Sequence, residues 1–312
     1  MSLPFDAPIR HNPRASFEVP YRKTVRWTYD NYAYINNLMT LALSPKAQQG
    51  FQRKIKKFFA AHSRDLPWRR TDDPYHILVS EVMLQQTQVD RVIPKYQAFI
   101  AQFPTVATLA NTSLRQVVSC WQGLGYNRRA LALQKTAQVV QYSWQGKVPP
   151  TISDLETLPG IGPYTAKAIA TFAFNQPHVL IETNIRTVFI HEFFAEDSLV
   201  ADSHILPLIT QTLDYKHPRE WYWALMDYGS WVKKHHHNPS RRSHHYHKQS
   251  TFKNSNRQIR GLLIKTLTTN PPLTLPTLFK LLPHEPERVV HSLQQLADEG
   301  LIKKKGKKYL IE

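Results

Sequence analysis

The chain has 312 residues, 42% of them hydrophobic, enough for one large core or two smaller ones, and a formal net charge of +17. Its apolar runs are far shorter than the roughly 20 residues needed to span a bilayer, and the N-terminus MSLPFDAPIRHNPR has no apolar signal core, so neither a membrane span nor secretion is expected. A lone Cys120 cannot form an internal disulfide, which fits a reducing cytoplasm, and so basic a chain is expected to meet a polyanion.

Residues 1–45 are rich in Pro, Tyr, Asn and Arg with weak periodicity, and read as an arm whose aromatics either strap onto a core or stack on bases. From Gln49 to about Trp231 apolar residues recur at helical spacing, punctuated by Gly or Pro, and few runs alternate like strands. The pattern predicts helices over 51–62, 75–89, 114–124, 129–142 and 164–174, in an all-α domain over 46–232. The stretch 233–250, KKHHHNPSRRSHHYHKQS, has no core pattern and is predicted as loop, with the next domain beginning at 254. There, 256–267, 275–282 and 286–300 predict three short helices, and LIKKKGKKYLIE sets a basic Gly turn between two apolar ends. Three helices followed by a hairpin wing predict a winged-helix DNA-binding domain over 254–312, with Lys304 and Lys307 on the wing. No Asp or Glu occurs between Asp227 and Glu285, an interval with ten Lys or Arg, so one electrostatic face runs through loop and domain.

The segment Leu158-Pro-Gly-Ile-Gly-Pro-Tyr breaks a helix and restarts it at once. Gly160 and Gly162 flank one apolar residue, which suits positive φ and close approach to a ligand, and Pro163 suits a first helical turn. Backbone N–H groups and a helix N-terminus would then point outward as a phosphate site. An ordinary helix–helix turn is the alternative. Upstream, Glu81 sits among Ile77, Leu78, Val79, Val82, Met83 and Leu84, where burial would keep a carboxyl protonated and fit it as a general acid.

Several separate motifs, in order, carry a resemblance. LPGIGPYTA is similar to the helix-hairpin-helix of DNA repair glycosylases, with IETN where their catalytic carboxylate lies. LPWRRTDDPYHILVSEVMLQQTQVDRVIPKY, FPTVATLA, GLGYNRRALAL and ALMDYG resemble the MutY-type adenine glycosylases, and the likeness covers roughly Gln49 to Gly229. It implies the two-lobed helix-hairpin-helix glycosylase fold and cleavage of an N-glycosidic bond in DNA. Such cleavage needs a proton for the leaving base and a carboxylate for the sugar's developing charge. Glu81 matches the family's acid, Glu182 the second carboxylate, and Asn184 its hydrogen-bonding neighbour. Relatives normally carry Asp at position 182; a displacement of about 1 Å there can cost on the order of a hundredfold in rate. Tyr164 stands where strand-cleaving relatives have a Schiff-base Lys, so a monofunctional enzyme is implied, with water as final nucleophile. Leu84, Gln85, Gln86 and Thr87 match the wedge that opens the duplex, and Tyr126 its stacking aromatic, while Asn127 replaces a second Tyr. Arg69, Arg128, Lys167, Arg241 and Arg242 are further candidate DNA contacts.

Two features of the family are not expected. Four cysteines that hold an iron–sulfur cluster have no counterpart after ALMDYG, so no cluster is expected, and the six His of 233–250 are read as a DNA-gripping basic loop ahead of a zinc site. No metal and no cofactor is expected beyond a candidate monovalent cation at the hairpin from Leu158 to Gly162. The C-terminal domain that reads 8-oxoguanine is likewise not expected, since 254–312 read as a winged helix. The expected substrate is thus double-stranded DNA with adenine opposite G or 8-oxoguanine, acted on by a cytoplasmic, nucleoid-associated monomer. The alternatives are a glycosylase for T or U opposite G, or a DNA-binding protein that kept the fold and lost the chemistry.

Overall fold

The computed structural model describes residues 42–312 except 196, 198, 249 and 250. All but the last four residues of the expected arm over 1–45 lie outside them, as do two residues of the expected loop. Residues 43–312 form one unit with fourteen helices among the described residues.

Start signals in the sequence set most helix boundaries. Helix α1 (Pro45–His62) begins at Ser44, whose hydroxyl accepts the Ala47 N–H, with Pro45 at the first position; it starts earlier than the apolar pattern alone indicates. Asp73 caps α2 (Pro74–Leu84) in the same way. Capping boxes at Thr105/Thr108 and Ser113/Gln116 open α4 (Val106–Ala110) and α5 (Leu114–Trp121). The helix expected over 75–89 ends five residues early. α2 stops at Leu84, Gln86 takes φ 54°, and α3 (Val89–Gln102) restarts. The cause lies at Arg129, whose Nη1 donates to the carbonyls of Val82, Met83 and Gln85 at 2.9, 2.9 and 2.7 Å and so replaces the next helical turn.

Helices α2 to α5 pack with α6 (Arg128–Ser143), α7 (Ile152–Glu156) and α8 (Pro163–Phe174) in one lobe. The second lobe joins α1 to α9 (Thr183–Phe193), α10 (Asp202–Thr212) and α11 (Pro218–His235), so the first described helix closes on chain from the far side of the hairpin. Trp121 and Phe99 are fully buried in the first lobe, Trp221, Tyr222 and Phe189 in the second.

The loop expected from residue 233 begins later. Lys233, Lys234 and His235 form the last turn of α11, where positive side chains suit the helix dipole, and 239–242 form a 3-10 turn. Val200 and Ser243 bridge in parallel, and Pro239, Ser240 and Ser243 are buried, so much of this segment is packed.

The C-terminal unit comprises α12 (Asn256–Thr269), β1 (Leu273–Thr274), α13 (Leu275–Leu281), α14 (Pro286–Asp298), β2 (Lys303–Lys305) and β3 (Lys308–Leu310). Its antiparallel sheet has the order β1-β3-β2, with both Leu273 and Lys304 opposite Tyr309. Two-residue β1 is too short to show a period in sequence. Arg115 of α5 fastens this unit: its N–H donates to the Glu312 carbonyl at 3.0 Å, and its guanidinium to the Thr268 and Asn270 carbonyls at 3.0 and 2.7 Å. No helix among the described residues is long and apolar enough to cross a membrane.

Candidate active site

Three side chains from three elements face one another between the lobes. Glu81 lies on α2, whose other residues are mostly buried, and its carboxyl has no hydrogen-bond partner among the described residues. Loss of water, and then the charge of Glu182, push Glu81 up to about 8. Glu182 is the N-cap of α9. Its Oε1 accepts the N–H groups of Asn184 and Ile185 at 2.7 and 2.9 Å, and its Oε2 accepts the Asn184 side-chain amide at 3.3 Å. The extra methylene of Glu, relative to Asp, is thus taken up by folding the side chain back over its own helix. Tyr164, on the first turn of α8, is 38% exposed; burial around its hydroxyl, then the charges of Glu182 and Glu81, raise its pKa, so the phenol stays protonated.

The ALMDYG segment supports this arrangement from behind. Asp227, buried, receives Arg69 through two bonds of 2.8 and 2.9 Å and the Arg64 backbone N–H at 2.9 Å. Desolvation opposes its charge, but the Arg69 hydrogen bonds prevail and hold the carboxyl below the usual range. A Cβ on Gly229 would overlap the Asn184 carbonyl, so α11 and α9 touch backbone to backbone beside Glu182. Sequence reading took the segment as a family mark and missed both functions; the only local signal was an acid amid apolar residues.

The hairpin differs in detail from the expectation of two permissive glycines. Gly160 has φ 78° and a Cβ there would lie 2.7 Å from that of Ala132. Gly162 has an ordinary φ of −91°; it is the N-cap of α8, lacks a side-chain cap, and opens on empty space. Ile161 is buried between them. Of the candidate cation ligands, the Leu158 carbonyl already accepts Ile161 N–H at 3.1 Å and the Pro159 carbonyl the Thr136 hydroxyl at 2.7 Å.

Two expected DNA contacts are corrected. Arg69 has a side chain only 8% exposed, is committed to Asp227 and lies over the Trp223 ring. Arg242 donates to the carbonyls of Ile190, Phe194, Ala195 and Asp197 and closes the C-terminal end of α9. Both are used inside the fold.

The remaining candidates lie nearer the surface. Gln86 and Tyr126 are exposed and both have positive φ, while Leu84 is half-buried. Gln85 donates its amide to the Thr165 hydroxyl at 3.1 Å, and Thr87 accepts Arg129 at 3.0 Å, so the loop after α2 is fastened to α8 and α6. Arg128, Arg241, Lys304 and Lys307 are exposed, and Lys167 is half-buried. A cavity of about 410 Å³ opens between Gln85, Arg128, Lys135, Gly160 and, from the C-terminal unit, Glu299.

Among the described residues no group of three His, Cys, Asp or Glu is placed to hold a metal ion. An iron–sulfur cluster does not fit the chain after ALMDYG, which offers no thiolate there.

Residues 79–218 match the family described as HhH-GPD superfamily base excision DNA repair protein. The chain is similar to the adenine DNA glycosylase of Buchnera aphidicola subsp. Baizongia pistaciae, 35% identical over 173 residues, covering 54% of this chain and 48% of that protein. It is 45% identical over 126 residues to the adenine DNA glycosylase of Mycolicibacterium smegmatis, covering 40% of this chain and 43% of that one. Among solved structures, that of a thermostable thymine-DNA glycosylase has a TM-score of 0.53 at 26% identity, covering 59% of this chain and 86% of the other. The chain spans about half or less of the length of the curated relatives it matches. Hairpin, Glu81 and Glu182 all fall inside residues 79–218, which match the HhH-GPD base excision DNA repair family in a chain similar to adenine DNA glycosylases.

Proposed function

We propose that the protein is a monofunctional DNA glycosylase that hydrolyses the N-glycosidic bond of adenine mispaired with G or 8-oxoguanine in double-stranded DNA. The observation that carries this reading is the contrast between its two facing carboxyls. Glu81, at about 8, holds a proton at neutral pH with no hydrogen-bond acceptor for it among the described residues. Glu182 is turned entirely to accepting hydrogen bonds. In the reaction Glu81 donates its proton to the departing adenine and the C1′–N bond breaks. Glu182 offsets the positive charge that develops on the sugar, and water adds to C1′ and returns a proton to Glu81. Tyr164 has no amine, so it cannot form the imine that a lysine at this position forms in strand cleavage.

Duplex opening falls to Leu84 and Gln86 as wedge and Tyr126 as stacking ring, with backbone contacts from Arg128, Lys167, the Gly162 edge, Arg241, and Lys304 and Lys307 of a C-terminal unit that we read as a winged helix. We infer that the protein acts as a cytoplasmic monomer on nucleoid DNA. A second reading, T or U opposite G as target, is favoured by the likeness to the thymine-DNA glycosylase structure.

The test is incubation with labelled duplexes carrying A·G, A·8-oxoguanine, T·G or U·G, each split and one half treated with alkali, with Glu81→Gln in parallel. Alkali-dependent cleavage at A, lost in the variant, is expected. Cleavage at T or U would replace the substrate and keep the mechanism. Tight binding without base release would leave only a DNA-binding protein.

A further inference from the structure

Lys233 stands at the end of α11, where the sequence pattern indicates loop, and it belongs to none of the residue sets above. Contacts along α11 fix its place. The Tyr222 hydroxyl receives the Leu180 N–H at 3.0 Å, Gly229 lies on the Asn184 carbonyl, and the His236 ring is 4.7 Å from that of His191. Moving down α11 through Tyr222, Gly229 and His236 therefore moves down the facing segment through Leu180, Asn184 and His191. The two run parallel, and Lys233 is one helical turn beyond Gly229 on the same face. Helical side chains lean toward the N-terminus, so the Lys233 stem runs back over the glycine toward the start of α9, where Glu182 is the cap.

The electrostatics agree with that path. Burial lowers the pKa of Lys233, the Glu182 charge opposes the shift, and the Arg64 charge adds to it. The lysine is half-buried, and its ammonium, with three donors, has no hydrogen-bond acceptor among the described residues. Arg64 commits its backbone N–H and Nε to Asp227 at 2.9 and 2.5 Å, while its two terminal nitrogens bond no described residue. Lys233 therefore lies within electrostatic reach of both Glu182 and the Arg64 guanidinium, and both cations keep donors that no described residue accepts.

We propose that Lys233 and Arg64 seat a backbone phosphate flanking the nucleotide whose sugar lies against Glu182. A phosphate there satisfies both sets of donors through charge-assisted bonds and draws the ammonium off Glu182, leaving that carboxylate to the sugar. It also fixes the nucleotide along its backbone at the point where small displacements matter most. The inference rests on the glycosylase reading above.

The test reads binding alone, on duplexes with a non-hydrolysable 2′-fluoro adenosine at the target, opposite G. Wild type, Lys233→Met and Lys233→Arg are compared on native DNA and on DNA with one neutral methylphosphonate 3′ or 5′ to the target. Lys233→Met is expected to weaken binding about tenfold and to reduce the slope of log affinity against log salt by about 0.9. One of the two methylphosphonates should cost wild type at least that factor and cost Lys233→Met clearly less, since only Arg64 still meets the phosphate there, and Lys233→Arg should recover most of the loss. The wild-type comparison needs no substitution, so misfolding of a variant cannot mimic it. Equal losses for wild type and Lys233→Met at both positions, or Lys233→Met binding like wild type, would overturn the assignment. On a cleavable duplex, so would a borohydride-trapped adduct that vanishes in Lys233→Met, which would make the lysine an amine nucleophile. Failure to release base from any duplex in the preceding test would sink the glycosylase reading instead, and the two failures are read in separate assays.

Discussion

Glu81 sets two opposite requirements at one residue. Base release needs its proton, so the rate is expected to fall as pH rises through about 8, and Glu81→Gln to abolish release at every pH. The same shift acts on stability with a definite sign. The folded value lies above the ordinary 4.5, so between about 4.5 and about 8 the native state binds more protons than the unfolded chain, and stability declines as pH rises across that window. Glu81→Gln should remove this decline, melting higher than wild type at pH 9 while the two converge near pH 4; thermal melts over the range check it. Asp227 has the reverse sign, with a lowered value, so its contribution is present above the unfolded carboxyl range and fades as acid protonates it. Asp227→Asn leaves Arg69 buried without its counter-charge and is expected to cost about 3 to 5 kcal/mol by denaturant unfolding. Glu81 was legible in the sequence, because its apolar neighbours are adjacent in the chain. The partner of Asp227 was not, because Arg64 and Arg69 reach it only through tertiary packing.

Helix ends decide the element scale, and arginines finish two of them. Arg129 gathers carbonyls from the end of α2 and from Leu124 and Gly125, and also holds Thr87, so the loop after α2 and the loop bearing Tyr126 share one guanidinium. A lysine cannot reproduce that planar fork. Arg129→Lys is therefore expected to lose about 1 to 3 kcal/mol and to speed amide exchange at Gln86 and Thr87, leaving α9 unaffected; exchange measured residue by residue checks this. Repeating periodicity made the long helices legible before any coordinates. The break at Gln85 was hidden because the apolar pattern runs through it and its cause sits more than forty residues away, in Arg129. The reach of α11 through Lys233 was hidden for the opposite reason: a basic, His-rich run imitates loop, although cations suit a helix C-terminus.

At the scale of the whole molecule, the positive charge matters through where it is held. On the hairpin, Lys303 and Lys305 pair with Glu312, while Lys304 lies over the Tyr309 ring and Lys307 is exposed, so the wing turns only part of its charge outward. Arg115 by itself supplies three bonds to the C-terminal unit: to Glu312 next to the hairpin, and to Thr268 and Asn270 at the end of α12. On the proposed reading, a docked unit presents wing and wedge to DNA as one surface, whereas a loosened one offers the wing only at the effective concentration of a tethered module. Arg115→Ala should therefore weaken DNA binding, and so should the Lys304→Ala/Lys307→Ala pair, which should also lower the salt slope by about 0.9 for each phosphate contact removed. If docking is what makes the wing count, the effects are not additive: in the Arg115→Ala background the lysine pair should cost little more. Full additivity in that cycle, read by titration at two salt concentrations, would mean that the wing binds independently of the dock and that Arg115 serves stability alone.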